Sequence, residues 1–278
     1  MPKRTVLMTG ATGYIASQLL PVFREQYDLT LVDVKATDRQ RQALPEVHIA
    51  NLAEAQYETP QGLFQGIDTV VHLGYHRPDS GEWGTRSYHD ERVNVDMAYH
   101  VYKLALDAGV RRVVTASSNH AADWYEQLIH QGRMDMVYPD TLPLSDNFYG
   151  WAKATYEHLG FIFACGHFGR RLETVHIRIG APRELRVPDY HGDRARYTRD
   201  LGAYISERDL RQLFSKSIDT DHIANEHGIP FQVFYGISNN ARKFWSIVNA
   251  RKVIGYAPED DAEVKYARDI ATFLMHGA

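Results

Sequence analysis

One cysteine, Cys165, is all that 278 residues provide, so no disulfide can form within the chain and a reducing compartment, the cytoplasm, is its natural setting. No window of about 18 apolar residues occurs, which excludes a membrane-spanning helix. The opening Met-Pro-Lys-Arg runs straight into an apolar stretch of about six residues, too short for a secretory signal. Positive charge is not in excess either. Lys and Arg number 31 against 35 Asp and Glu, and the net charge of −4 argues against a nucleic-acid partner or an anionic membrane surface. No repeat or low-complexity segment is visible. These absences leave a soluble globular chain, 44% hydrophobic, with apolar material for one large α/β domain or two modest ones.

What is present alternates between strand and helix. Thr5 to Thr9 is an apolar run that ends in a glycine turn, Gly10-Ala-Thr-Gly13, before the helical pattern Ile15, Leu19, Leu20, Phe23. Strand, glycine turn and helix form the geometry that cradles a pyrophosphate against a helix N-terminus. Ala16 at the third glycine position is small enough to keep helix and strand close, while Pro21 inside the helix predicts a kink. A second strand, Leu29 to Val34, carries Asp33 near its carboxyl end, where a carboxylate accepts bonds from an adenosine ribose and repels a 2′-phosphate. Val47–Ala50 ends at Asn51-Leu52, and Asp68–Gly74 reads as a parallel strand buried on both faces, with His72 a core histidine. Residues 76 to 92 read as a polar, irregular loop. A helix from Asn94 to a glycine stop at Gly109, a strand from Arg111 to Ser118, a helix from Tyr149 to about Cys165 and a strand from Glu173 to Gly180 complete a doubly wound parallel sheet.

The texture changes after Gly180, so residues 1–180 read as a nucleotide-binding domain and 181–278 as a smaller substrate lobe. The strand 231–236 is expected to return to the main sheet. Ser206-x-x-Asp209 caps a helix, and Glu263 to Met275 reads as a closing helix. Within the first unit, Tyr149 and Lys153 lie one helical turn apart on one face. A phenol titrates near ~10, and a fixed ammonium nearby would lower that value and let the tyrosine take a proton from an alcohol. On their own the two residues fit an exposed surface pair better.

The order glycine turn, Asp33, Ser118, Tyr149, Lys153 resembles the extended short-chain dehydrogenase/reductase superfamily, over essentially the whole chain. That resemblance implies a Rossmann-type fold and NAD as cofactor. It implies a catalytic set of Ser118, Tyr149 and Lys153, with Asn94 propping the lysine through water. Cofactor contacts would come from Gly10, Thr12, Gly13, Tyr14, Ile15, Asp33, Asn51, Leu52, Leu73, Gly74 and Ile177, together with Tyr149 and Lys153. A narrower resemblance, to uronate dehydrogenases, rests on Ala116-Ser-Ser-Asn-His120, Arg178-Ile-Gly180 and the segment from Arg199 to Leu210. It extends through Phe234-Tyr-Gly236, Ser238, Asn239 and Trp245 to Ile254-Gly-Tyr and Pro258. It implies oxidation of a sugar's anomeric C1 hydroxyl to a lactone. Ser118, Asn119 and His120 would then touch the sugar, and Arg199 would grip a carboxylate in its fork.

The chain departs from that family at three places. Ala181 stands where a serine is usual, Tyr75-His76-Arg77 follows Leu73-Gly74, and the segment from 183 to 199 is long and rich in arginine. Arg77 and those arginines suit an anionic sugar, whether uronate, phosphate or sulfonate; they also suit a solvated loop balanced by Glu184, Asp189 and Asp193. His222 and His227 do not share a helical face, and no metal is expected. Apolar residues along the Tyr149 helix, Trp151, Leu159, Phe161, Ile162 and Phe163, point with the Asn94 helix to a homodimer or to burial under the C-terminal lobe. Two other functions share these motifs: a nucleotide-sugar epimerase or dehydratase that retains NAD, and a non-catalytic NAD-sensing protein. The short C-terminal part counts against the first and the intact triad against the second.

Overall fold

The computed structural model describes residues 3–54, 61–77 and 86–275. Seven strands form one sheet, all pairs parallel, in the order β3-β2-β1-β4-β5-β6-β7. They are β1 Thr5–Thr9, β2 Asp28–Asp33, β3 Val47–Ile49, β4 Thr69–His72, β5 Arg112–Ser118, β6 Glu173–Ile179 and β7 Phe231–Gly236. The helices that matter for the site are α1 Tyr14–Gln26, α2 Gln61–Phe64, α3 Tyr88–Asp107, α4 Glu126–His130, α5 Phe148–Cys165, α6 Arg194–Ala203 and α7 Glu207–Asp219. Strand order reverses between β1 and β4, and an open parallel sheet forms its ligand crevice at such a reversal, beyond the carboxyl ends of the strands. In register, Thr9 of β1 sits opposite Val32 on one side and His72 on the other, so the Gly10 turn, Asp33 and Gly74 emerge at one edge.

Two apolar cores sandwich the sheet. One face joins Leu19, Leu20 and Phe23 of α1 to Leu210, Leu213 and Phe214 of α7. The other joins Val101, Tyr102 and Ala105 of α3 to Ala152, Tyr156 and Phe163 of α5. A third core, with Tyr190, Tyr197, Leu201, Trp245 and Tyr266, belongs to the C-terminal part, while β7 pairs with β6 inside the main sheet. Among the described residues no helix is long and apolar enough to cross a membrane.

Several elements differ from their sequence-based bounds. α3 begins at Tyr88, six residues before Asn94, because Ser87 and Asp90 close a capping box. The expected irregular loop therefore ends at Ser87, and its residues 78–85 lie outside the described residues. The stretch after β5 is not a plain loop: 119–125 is a 3₁₀ segment that leads into α4. The closing helix is broken at Tyr266 and widens into a π turn over Ile270–Met275. Tyr266 itself is tied elsewhere, its hydroxyl bonding the Leu185 N–H and the Glu184 carboxylate. Helix α1 runs through Pro21, which is exposed with Ser17, the residue whose carbonyl loses its amide partner; water can satisfy that group.

Candidate active site

The turn after β1 needs glycine for a stated reason. Gly10 has φ +65°, and a Cβ there would stand 2.7 Å from the Gly74 nitrogen, so the turn presses on the end of β4. It delivers the chain to α1, whose N-cap Gly13 makes no side-chain capping bond. By contrast α3, α5, α6 and α7 are capped by Ser87, Asn147, Asp193 and Ser206. The first amides of α1 are thus left for an anion in the cleft. Asp33 Oδ2 accepts from the Thr12 N–H at 2.9 Å and from its hydroxyl at 2.8 Å, which fixes the acid at the mouth of the turn.

The catalytic candidates meet at the other end of the same edge. Asn147 caps α5 by accepting from the Gly150 N–H at 2.9 Å. Gly150 is required next to Tyr149, since a Cβ there would lie 2.1 Å from the His120 carbonyl oxygen. That contact holds the start of α5 against the end of β5, and the Ser118 hydroxyl hydrogen-bonds the Tyr149 phenol. Lys153, 5% exposed, donates to the Ala116 carbonyl at 3.0 Å and lies over the Tyr149 ring, 5.7 Å from its centroid. Behind Lys153 on α5, Glu157 forms a buried bidentate pair with Arg178 of β6, 2.8 Å on each arm, and accepts from Ser117 at 2.8 Å. The buried pair fixes the rotation of the helix that carries the tyrosine.

Electrostatics in this pocket differ from expectation in one respect. Burial pushes the Tyr149 phenol up to about 12 against the pull of the Ser118 hydrogen bond, and the cation that draws it down is Arg86. Burial likewise brings the Lys153 ammonium down to about 8, with Glu91 and Glu157 opposing. Lysine's charge therefore sits over the ring and behind it. Arg86 is 3% exposed, with its guanidinium carbon 5.9 Å from the Tyr149 centroid. It bonds the Tyr75 hydroxyl and pairs with the fully buried Glu91 at 3.3 Å, while Tyr75 donates to Glu91 at 2.6 Å and meets Tyr149 edge-on at 5.8 Å. Sequence reasoning saw Tyr75 only as a departure and missed Arg86 and Glu91; the one available signal was the spacing of Glu91 one helical turn before Asn94.

One cleft of about 1730 Å³ joins the two ends. It exceeds the ~300–1,000 Å³ of pockets for drug-sized ligands, which leaves room for a dinucleotide and a second small molecule. Gly10, Thr12, Gly13, Tyr14, Ile15, Asp33, Asn51, Leu52, Leu73 and Gly74 line it, as do Ser118, His120, Tyr149, Lys153, Arg77 and Arg199. Four expected residues stand differently. Ile177 is fully buried in the sheet core, and Ile179, two residues on along the same face, lines the cleft instead. Asn119 is 1% exposed, does not line the cleft and has no partner for its amide nitrogen. The Asn94 side chain is engaged by the backbone of His76. Its amide accepts from the His76 N–H at 2.7 Å and donates to the His76 carbonyl at 3.0 Å, pinning the loop after β4. Arg199, the expected carboxylate grip, already holds a carboxylate: Nε and Nη2 donate to Glu126 at 2.9 and 2.7 Å, and Nη1 to Asp200 at 3.0 Å.

The remaining arginines divide. Arg183 pairs with Asp200 at 2.5 Å and lines the cleft with Arg196, whereas Arg186 pairs with Asp189 in solvent. Asp193 caps α6, and Glu184 binds Lys265 at 2.6 Å. His120 Nδ1 donates to Asp123 at 2.9 Å and the ring faces that of Tyr149 at 5.7 Å. Pro182 is tied to α1 by the Tyr14 hydroxyl at 2.7 Å and the Gln18 amide at 2.9 Å.

A glycine turn at a topological switch point, continuous with a serine, tyrosine and lysine at the end of β5, defines a Rossmann-type short-chain oxidoreductase. The chain belongs to the NAD dependent epimerase/dehydratase family, whose model matches residues 6–164. It is 31% identical over 274 residues to an NAD-dependent glucose-6-phosphate dehydrogenase of Haloferax volcanii, covering 92% of this chain and 94% of that one. A uronate dehydrogenase of Pseudomonas syringae pv. tomato is 28% identical over 271 residues, 96% of this chain and 86% of the relative. Among solved structures, a uronate dehydrogenase from Agrobacterium tumefaciens superposes with a TM-score of 0.75 at 24% identity, covering 98% of this chain and 90% of the other. The protein is an NAD-dependent dehydrogenase of the short-chain dehydrogenase/reductase type.

Proposed function

We propose that the chain oxidises the anomeric C1 hydroxyl of a sugar to a lactone, with Tyr149 as the base. The observation that carries the reading is the convergence of Ser118, Tyr149 and Lys153 on a cleft continuous with the glycine turn. Relatives named for glucose 6-phosphate and for uronate support a sugar, and the expectation from sequence was an acidic one. NAD, when bound, supplies the acceptor for the hydride that leaves C1. Gly10, Gly13 and the first turn of α1 would hold its pyrophosphate, and Asp33 its adenosine ribose. Tyr149 takes the C1 hydroxyl proton while the new carbonyl forms, its phenol brought down from about 12 by the nicotinamide charge of NAD when bound. Ser118 donates to the same oxygen and orients it. Lys153, an ammonium at neutral pH, favours the phenolate with Arg86.

His120, held by Asp123, stands on the sugar side, and Pro182, Arg183, Arg196, Arg199 and Asp200 of the 181–278 lobe line the same cleft. Cytoplasmic residence fits the one free thiol, Cys165. A homodimer fits Tyr88 and Tyr99 of α3 and Phe148, Phe161 and Ile162 of α5, which remain part-exposed on adjacent helices; light scattering on the purified protein tests it. The function itself is tested by NADH absorbance across a panel of sugars. Turnover that disappears in Tyr149→Phe supports it. No turnover on any sugar, with NAD retained through purification, points instead to an epimerase or dehydratase.

A further inference from the structure

The sugar reading above leaves the substrate class open, and the ion pairs around Arg199 bear on it. Arg199 is the guanidinium placed by sequence to receive a substrate carboxylate. In the structure its Nε and Nη2 are both engaged by Glu126, the first residue of α4, at 2.9 and 2.7 Å, and Nη1 by Asp200 at 3.0 Å. The pair is largely buried, 16% exposed on each side, and the guanidinium carbon packs 5.3 Å from the Trp245 ring centroid. A uronate carboxylate entering here would have to evict Glu126 and leave it largely buried and unpaired beside a second anion. Arg183, the neighbouring guanidinium, is committed to Asp200 at 2.5 Å, and Asp200 also receives the Tyr190 hydroxyl at 2.9 Å.

The charge balance of this wall points the same way. From residues 120 to 200 the cleft is lined by four carboxylates, Asp123, Glu126, Asp146 and Asp200. Lys153, behind Tyr149, and Arg183, Arg196 and Arg199 oppose them, and Arg77 lines the cleft from the loop after β4. Arg196 is exposed at the rim, over the Tyr190 ring. A carboxylate or a phosphate dianion entering beside Arg199 meets guanidinium groups, Arg199 and Arg183, that are already paired with acids. Such a wall suits a ligand rich in hydroxyl donors, because each ionised carboxylate is an acceptor only.

We infer that this site accepts neutral aldoses and turns uronates away, with Glu126 as the specificity-determining residue that closes the Arg199 fork and offers its carboxylate to sugar hydroxyls. The inference rests on the sugar reading, and one panel separates the two. Wild-type protein with NAD is given D-glucose, L-arabinose, D-glucuronate and glucose 6-phosphate. The best neutral aldose should exceed both anionic sugars in kcat/KM by at least about tenfold, about 1.4 kcal/mol.

Glu126→Gln should then raise kcat/KM for D-glucuronate at least about tenfold, chiefly through KM, and lower it for the neutral aldose. Adding Arg199→Met to that variant should abolish the gain, which a merely structural role for Glu126 would not produce. A wild-type preference for glucuronate or for glucose 6-phosphate overturns the inference while leaving the sugar reading intact. So does a substrate ratio unmoved by Glu126→Gln in protein that binds NAD normally. Turnover of no sugar at all overturns the sugar reading and this inference together. Should the variant fail to fold, the wild-type panel alone decides.

Discussion

The two ends of the cleft are built from different materials. At the glycine-turn end the ligand would meet backbone: the amides of an uncapped helix, a turn that only glycine can make, and one carboxylate pinned by the next threonine. At the sugar end it meets side chains paired with one another across the chain, Arg199 with Glu126 73 residues away and Arg183 with Asp200 17 away. Backbone recognition is generic and suits a cofactor shared among many enzymes. Side-chain pairing is particular, because each ion pair decides which charges remain available to a substrate. The proposed chemistry falls at the seam, where the segment after β5 meets α5 through the His120 carbonyl and Gly150.

The comparison is most severely tested at that seam. Replacing Tyr149 with Phe should lower kcat about 10²- to 10⁴-fold, the usual worth of a positioned acid–base group, while NAD affinity stays near wild type. Steady-state kinetics and a fluorescence titration with NAD check the two halves of the statement, and surviving activity would remove Tyr149 as the base. Next in size is Gly10→Ala. A Cβ at φ +65°, 2.7 Å from the Gly74 nitrogen, must displace the turn, so NAD binding should weaken by about tenfold or more with thermal stability reduced. Sugar KM at saturating NAD should change far less, if the two ends are separable. Asp33→Ala should narrow the preference for NAD over NADP by about tenfold, read as the ratio of kcat/KM values.

A separate test, of stability and not of turnover, lies under both ends, in the sheet. Burial holds His72 down to about 3 and His176 down to about 4, against an ordinary 6.5, with Lys153 adding to the first; for His176, Glu157 opposes burial. Both rings stay neutral in the folded chain while their unfolded counterparts take up protons. Stability is therefore intact above pH 6.5 and falls as the pH drops from there toward 4. Each histidine should contribute a slope of about 1 kcal/mol per pH unit, visible in denaturant titrations between pH 7 and 5. A flat profile there would mean that the rings are charged or solvated.

Legibility in the sequence follows the same division. Gly10, Asp33, Ser118, Tyr149 and Lys153 announce themselves because each lies at a strand end or one helical turn from a partner, and those separations are short or fixed by the fold. Ser206-x-x-Asp209 is read correctly for the same reason, the cap being local. The start of α3 is missed because its capping box, Ser87 and Asp90, sits among polar residues with no apolar periodicity beside it. Glu126 is invisible: nothing near it in the chain marks it as the partner of Arg199. The partner of the Asn94 side chain is likewise illegible, because Tyr75-His76-Arg77 departs from the family and the loop it forms engages the asparagine amide through the His76 backbone. The closing helix keeps its periodicity in sequence, yet Tyr266 is held by Glu184 and Leu185, and those tertiary bonds coincide with the break.

Helix α1 begins on Gly13 with no side chain to satisfy its first amides. A helix left open in this way is finished by its ligand, so the fold and the supply of NAD are thermodynamically linked. At a free concentration 100 times the dissociation constant the bound protein gains about 2.7 kcal/mol against unfolding. In a cell short of NAD the same chain would be the one unfolded and degraded sooner, and its abundance would follow the dinucleotide pool without any dedicated regulator.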